Sequence, residues 1–256
     1  MQLNFDGQSP VDISLEILRA YQPSEGYYLA FSGGKDSVVL KALADESGVK
    51  YDAHYNVTGI DPPELVRFIR KHHKDVHMEP PKMTFWAGLR RKGPPTRNVR
   101  WCCEVLKEHG GEGRIVLAGV RRQESAKRAK YGVVALCSRV SKTLVYPMLH
   151  WTSSDVWEYI QSESLPYCSL YDEGWKRLGC VLCPFNCRVA QAKAKWPMLF
   201  NRFEKAVADW FLVPEPDSRR RFKSADELLA WWYGRDAKWD NEQSPVLPFD
   251  QFEDDP

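Results

Sequence analysis

The sequence predicts an α/β protein, a parallel sheet flanked by helices with a helical extension at the C-terminal side. Three observations carry that prediction. From Val11 to Met78, helix-patterned and strand-patterned segments alternate, the rhythm of βαβ units with right-handed crossovers. The apolar run Tyr27 to Phe31 enters Ser32-Gly33-Gly34-Lys35-Asp36-Ser37 and leaves as a helix. Strand, glycine turn and helix N-terminus form an anion site, because backbone N–H groups and the helix dipole both point at the ligand. Lys35 adds a point charge there, and Ser32 and Ser37 add hydroxyl donors, with side chains expected to face ligand rather than core. Finally, the strand expected over 114–119 ends at Gly119 and runs into Arg121, Arg122 and Arg128. Ligands in such sheets lie beyond the carboxyl ends of the strands, so these arginines are expected to clamp an anion with their planar forks.

Along the chain, Val11 to Tyr21 reads as an amphipathic helix and Lys50 to Val57 as a second strand. Thr58 to Asp61 is its exit turn, and Pro62-Pro63-Glu64 opens the next helix. Asn56, Thr58 and Asp61 are expected on the same rim as the glycine loop; Asp61 or Glu64 reads either as a metal or ribose contact or as a helix cap. A short strand over 75–78 follows, then a loop over 79–100 rich in Pro, Gly, Arg and Lys, and a helix beginning at Trp101-Cys102-Cys103. The segments 188–211 and 225–232 are helical in pattern, with Trp196, Trp210, Trp231 and Trp232 expected in the core. Cys137 reads as core, and the six histidines as surface or rim residues. The expected division is a nucleotide domain over 1–187, a helical extension over 188–236 and an acidic tail over 237–256.

At 256 residues and 43% hydrophobic composition, the chain is able to bury a sizeable core. The net charge is +2, yet Lys82 to Lys130 holds thirteen Lys and Arg against four Glu, which suits phosphate, sulfate or nucleic acid. No signal-peptide pattern or membrane-length apolar run is read, so the expected setting is cytoplasmic. Seven cysteines, including an adjacent pair and one Cys-x-x-Cys, favour metal chemistry over disulfides in that setting.

The loop resembles the PP-loop of the ATP pyrophosphatases. Four segments in order resemble the phosphoadenosine phosphosulfate (PAPS) reductase family of that superfamily. These are Ser32 to Ser37, Trp101-Cys102-Cys103 with Leu106-Lys107, Gly119 to Arg128, and Pro147 through Trp151, Asp155-Val156-Trp157 and Tyr159-Ile160. The likeness continues through Leu170-Tyr171-Asp172-Glu173-Gly174 to Cys180-Val181-Leu182-Cys183. It implies a Rossmann-like PP-loop fold that binds ATP with Mg²⁺ through Ser32 to Ser37, Asn56, Thr58, Gly119, Arg122 and Arg128, with Lys35, Asp36 and Arg121 catalytic. It also implies a [4Fe–4S] cluster on Cys102, Cys103, Cys180 and Cys183, with Cys187 able to replace one of the pair. Zinc is the second choice for the same thiolates. In ATP pyrophosphatases of DNA phosphorothioation the ligands crowd together, making Cys168, Cys180, Cys183 and Cys187 the rival set.

The family's reductases use a nucleophilic cysteine on a C-terminal tail, and no cysteine follows Cys187 here. The expected activity is therefore that of an ATP pyrophosphatase adenylating an acceptor for sulfur transfer, in DNA phosphorothioate modification or RNA thiolation. Its expected partners are a sulfur donor such as a cysteine desulfurase and a nucleic-acid acceptor; no membrane partner is expected, and oligomer formation is left open. The alternatives are a sulfonucleotide reductase and a non-catalytic nucleotide-binding subunit of a sulfur-transfer complex.

Overall fold

The computed structural model describes residues 7–137, 141–213 and 222–234. The residues from 237 onward, read as an acidic tail, lie outside them. The described residues fall into two units, each discontinuous in sequence. One holds the chain up to Val57, Pro63–Pro80 and His109–Gly179; the other holds Thr58–Pro62, Pro81–Glu108 and the chain from Cys180.

The first unit contains the sheet. Its strands are β1 (Tyr27–Ala30), β2 (Tyr51–Asn56), β3 (His77–Glu79), β4 (Ile115–Leu117), β5 (Val134–Cys137) and β6 (Lys142–Val145), in the order β3-β2-β1-β4-β6-β5. Every neighbouring pair is parallel except β5 with β6. The chain therefore moves one way from β1 to β3 and the other way from β4, which puts a topological switch point between β1 and β4. Helices α1 (Pro10–Ala20), α2 (Lys35–Ser47), α3 (Pro63–His72), α6 (Ala126–Ala129) and α7 (Ser153–Ser162) belong to the same unit.

Local chemistry explains the α1 boundary. Ser9 and Asp12 form a reciprocal capping box, and Pro10 occupies the first turn, where its missing N–H costs nothing. The α1 helix is stapled to the segment after β6 by a buried hydroxyl: Ser14 Oγ donates to the Pro147 carbonyl at 3.0 Å and accepts from Trp151 Nε1 at 2.8 Å.

The second unit is helical: α4 (Phe85–Lys92), α5 (Trp101–Leu106), α8 (Val189–Lys195), α9 (Pro197–Leu212) and α10 (Ala225–Tyr233). The segment expected as one long loop after Glu79 contains α4. Thr84 caps it through the Ala87 N–H, and Phe85 and Leu89, one turn apart, are fully buried. Loop composition hid this short apolar stripe. Gly88 lets Trp101 close onto α4, since a Cβ there would lie 2.3 Å from Trp101 Cζ3. Phe85 stacks on Trp101 with centroids 5.7 Å apart, and Phe203 meets Trp232 at 4.8 Å. Trp196, Trp210 and Trp232 are buried as expected, while Trp231 is half-buried against Phe222.

The mostly parallel sheet is as expected, with β5 added antiparallel to β6 at one edge, and two readings of single residues are corrected. Cys137 lies half-buried on that edge, with Leu136 beside it exposed, rather than in the core. The histidines are not all peripheral. His54 stacks on Tyr28 at 4.1 Å, with its ring nitrogens facing Glu79 and Asp52. His73 is buried between Phe31 and Phe68, at 4.7 and 5.2 Å.

Burial, helped by Lys41 and His72 and opposed by Asp75 and Asp45, holds the His73 pKa down to about 4 from 6.5. Neutral His73 thus stabilises the fold fully above pH 6.5, and that contribution is lost as pH falls toward 4, where the unfolded chain binds the proton first. Denaturant titrations should show a loss of up to about 3 kcal/mol from this group across that window. His73→Leu should flatten the profile there.

Candidate functional site

The glycine loop leaves β1 and the Gly119 segment leaves β4, so the two flank the switch point from adjacent parallel strands. Gly33 has φ +73°, and a Cβ there would lie 2.7 Å from Ile69 Cδ1 of α3. Both the backbone sign and the close approach require glycine. At Gly119 a Cβ would come within 3.0 Å of the Asp36 carbonyl, so this glycine allows the β4 exit to touch the start of α2. Ser37 closes the loop on itself: its Oγ donates to the Gly34 carbonyl at 2.9 Å and accepts from the Ser32 N–H at 3.2 Å.

The charged groups are arranged differently from the sequence expectation. Lys35 and Ser37 are buried, rather than projecting freely toward ligand. Lys35 Nζ lies 3.0 Å from Asp36 Oδ2, and Arg121 Nε donates to Asp36 Oδ1 at 2.7 Å. One carboxylate thus holds two buried cations, one on each oxygen, and the trio carries a net positive charge beside the positive end of α2. Arg121 is fixed further by Gln123 Oε1 at 3.2 Å, which itself accepts from the Ser153 N–H that opens α7.

Of the three arginines expected to clamp an anion, Arg121 is the one held by Asp36. Arg122 is exposed and donates to the Tyr131 carbonyl, and Arg128 pairs with Glu124 one turn before it. Asn56 Nδ2 donates to the His109 carbonyl at 3.3 Å. Thr58 and Asp61 fall in the second unit, where the buried Thr58 hydroxyl donates to Asp61 at 2.7 Å and accepts from the Ile60 N–H. That is an internal turn cap. Tyr171 entered the sequence reading only as part of the family likeness, with no role: its hydroxyl accepts from the Lys35 N–H at 2.9 Å, from 136 positions away. Nothing local to the glycine loop signals it.

The second unit carries Cys102, Cys103, Cys180, Cys183 and Cys187. The first four share an electrostatic field. The Cys102 thiol is pushed up by its hydrogen bond with Cys103, by burial and by the nearby sulfurs of Cys180 and Cys183. Cys103 is drawn down to about 6 by the same hydrogen bond and by Lys107 and Arg100. Cys180 is raised to about 12 by burial and by Asp61, against the pull of Lys107. Lys107 in turn is raised above its usual range: burial alone would lower it, but Cys180, Asp61 and Cys183 outweigh that. Among the described residues, no three His, Cys, Asp or Glu side chains converge as ligands of one metal ion. Cys187 is exposed, and Cys168 is buried in the first unit.

A mostly parallel sheet whose strand order reverses at β1 and β4, with a glycine loop leaving β1 there, is an architecture that places ligands beyond the strand ends. Residues 26–186 match the phosphoadenosine phosphosulfate reductase domain family, and the chain belongs to it. An uncharacterised protein of Methanocaldococcus jannaschii is 32% identical over 74% of this chain and 51% of its own length. A second from that organism is 30% identical over 71% of this chain and 41% of its own. The chain thus spans about half the length of these curated relatives or less. An adenosine 5'-phosphosulfate reductase of Oceanobacillus iheyensis is 31% identical over 60% of this chain and 69% of its own. In fold, the chain is similar to the phosphoadenylyl-sulfate reductase of Candida auris, with TM-score 0.53 at 18% identity, covering 70% of this chain and 97% of that one. No helix among the described residues is long and apolar enough to cross a membrane.

Asp36→Asn removes the one negative charge between two buried cations, the kind of change that costs about 3–5 kcal/mol when a buried pair is broken. Its melting temperature should fall, and millimolar pyrophosphate should recover more of the loss than the same anion adds to the wild type.

Proposed function

We propose that this chain is an ATP pyrophosphatase that cleaves ATP between the α- and β-phosphates and adenylates an acceptor for sulfur transfer. The observation that carries the reading is the Lys35–Asp36–Arg121 trio at the start of α2, a fixed excess of positive charge on a glycine loop. An acceptor oxygen attacks the α-phosphorus, the bond to the bridging oxygen breaks, and pyrophosphate departs in line. Mg²⁺ enters with the nucleotide as part of the substrate. The loop N–H groups and Lys35 balance charge growing on the leaving group, and Arg121 steadies the α-phosphate.

The same reading assigns Cys102, Cys103, Cys180 and Cys183 to a [4Fe–4S] cluster. The Cys102, Cys180 and Cys183 sulfurs are near enough to act on one another, and Cys103 is hydrogen-bonded to Cys102, which supports a shared group held by all four once they are deprotonated. When bound, the cluster supplies sulfur-transfer or electron-transfer chemistry. The Lys107 ammonium offsets thiolate charge beside it. A polyanionic acceptor is favoured by residues 81–108, with seven Lys and Arg against two Glu, and by exposed Phe185, whose ring centroid lies 5.8 Å from each of the Arg97 and Arg100 guanidinium groups. A second reading, sulfonucleotide reduction, is favoured by the Oceanobacillus relative.

With ATP and a nucleic-acid acceptor, the expected products are AMP or an adenylated acceptor plus pyrophosphate; sulfite release from adenylyl sulfate instead would select the second reading. Lys35→Met should lower ATP turnover by on the order of 10²-fold, and unchanged turnover would remove the loop from the chemistry.

Protein purified without oxygen should be brown, with about four iron and four sulfide per chain. Cys180→Ser and Cys103→Ser should each bleach it. Retention of colour in Cys103→Ser would transfer the ligand role to the set containing Cys187.

A further inference from the structure

Helix α2 is thirteen residues long, and its N-cap position, Gly34, supplies no side-chain cap. The acceptor for its Lys35 N–H comes from the Tyr171 hydroxyl at 2.9 Å. That hydroxyl lies against the loop, since a Cβ on Gly34 would be 3.5 Å from it and 3.4 Å from Ser32 Oγ. A phenol oxygen accepts and donates at once. Here it accepts from Lys35, which leaves its own proton available to a further acceptor.

We propose that Tyr171 is a nucleotide-binding residue: its hydroxyl stays on the Lys35 N–H and donates its proton to a phosphate oxygen seated in the loop. In effect it extends one helix-terminal donor outward by the length of a hydroxyl, and a hydrogen bond accepted from the helix end strengthens the one donated. Burial pushes the phenol well above its usual range, so it remains protonated as a donor at neutral pH. The ring is held in place by the edge contact with Trp157, centroids 5.1 Å apart, and by the tight turn Ser169–Tyr171, whose last N–H donates to the Cys168 carbonyl. Lys35 Nζ lies 5.9 Å from the ring centroid, so the same side chain borders the buried cation. The opposite role, a hydroxyl that occupies the seat of a phosphate oxygen and must leave it, predicts the opposite sign on its removal.

The inference rests on the nucleotide-binding reading, and calorimetry of the full chain with Mg-ATP and with inorganic pyrophosphate separates the two. Tyr171→Phe keeps the ring and loses the hydroxyl; both ligands should bind about tenfold more weakly, the effect of one hydrogen bond to a charged group. Unchanged or tighter binding in that variant, with Lys35→Met still impaired, overturns the role of Tyr171 and leaves the nucleotide reading standing. Wild-type protein that binds neither ligand overturns both. If Tyr171→Phe does not fold, 3-fluorotyrosine incorporated at this position retains the hydroxyl as a stronger donor. It should bind pyrophosphate at least as tightly as the wild type at pH 7, and weaker binding overturns the proposal.

Discussion

The arrangement depends on one carboxylate. Asp36 is the second residue of α2, and its two oxygens hold Lys35 from the same helix and Arg121 from the β4 exit. Without that anion, two buried cations would repel across the switch point, and their desolvation would have no return. With it, they sit side by side and one unit of positive charge remains unspent. Gly119 is part of the same constraint, because any side chain there would hold β4's exit away from the Asp36 backbone. Charge, glycine spacing and strand order therefore hold this cluster together as one unit.

Much of the sheet was legible in the sequence because βαβ rhythm is local. The apolar run before Ser32, the cap signals around Ser9 and the helix after Pro63 each declare themselves within a few residues. The β5–β6 hairpin did not, because its pattern is weak and Leu136, though apolar, faces solvent. Helix α4 was lost in a segment dominated by Arg, Lys, Gly and Pro, although Thr84 and the buried pair Phe85 and Leu89 were readable in hindsight as cap and stripe. Its packing on Trp101 depends on the absence of a side chain at Gly88, a contact that only tertiary structure reveals.

The site was legible by residue type more than by arrangement. Lys35, Asp36 and Arg121 were identifiable as chemistry-bearing, but their mutual pairing spans 85 positions and inverts the expectation of freely exposed cations. Arg122 and Arg128 looked equivalent to Arg121 in sequence, and what separates them is the partner each finds in Tyr131 and Glu124. The discontinuity of the two units has the same origin. Thr58 to Pro62 and Pro81 to Glu108 group with the chain from Cys180, and composition along a line does not reveal which fragments will come together.

The bond between Tyr171 and the Lys35 amide also has a kinetic meaning. A helix that caps itself can acquire its first turn as soon as it forms, whereas α2 receives this acceptor only after the chain through Tyr171 has been ordered. The glycine loop thus carries a contact of high sequence separation, the kind whose loop-closure cost slows folding. Conversely, an opening of the turn at Ser169–Tyr171 would take the acceptor off the Lys35 amide. The exchange rate of that single amide proton would therefore report how often the segment around Tyr171 lifts from the loop, a clock on the site that ticks even when no nucleotide is present.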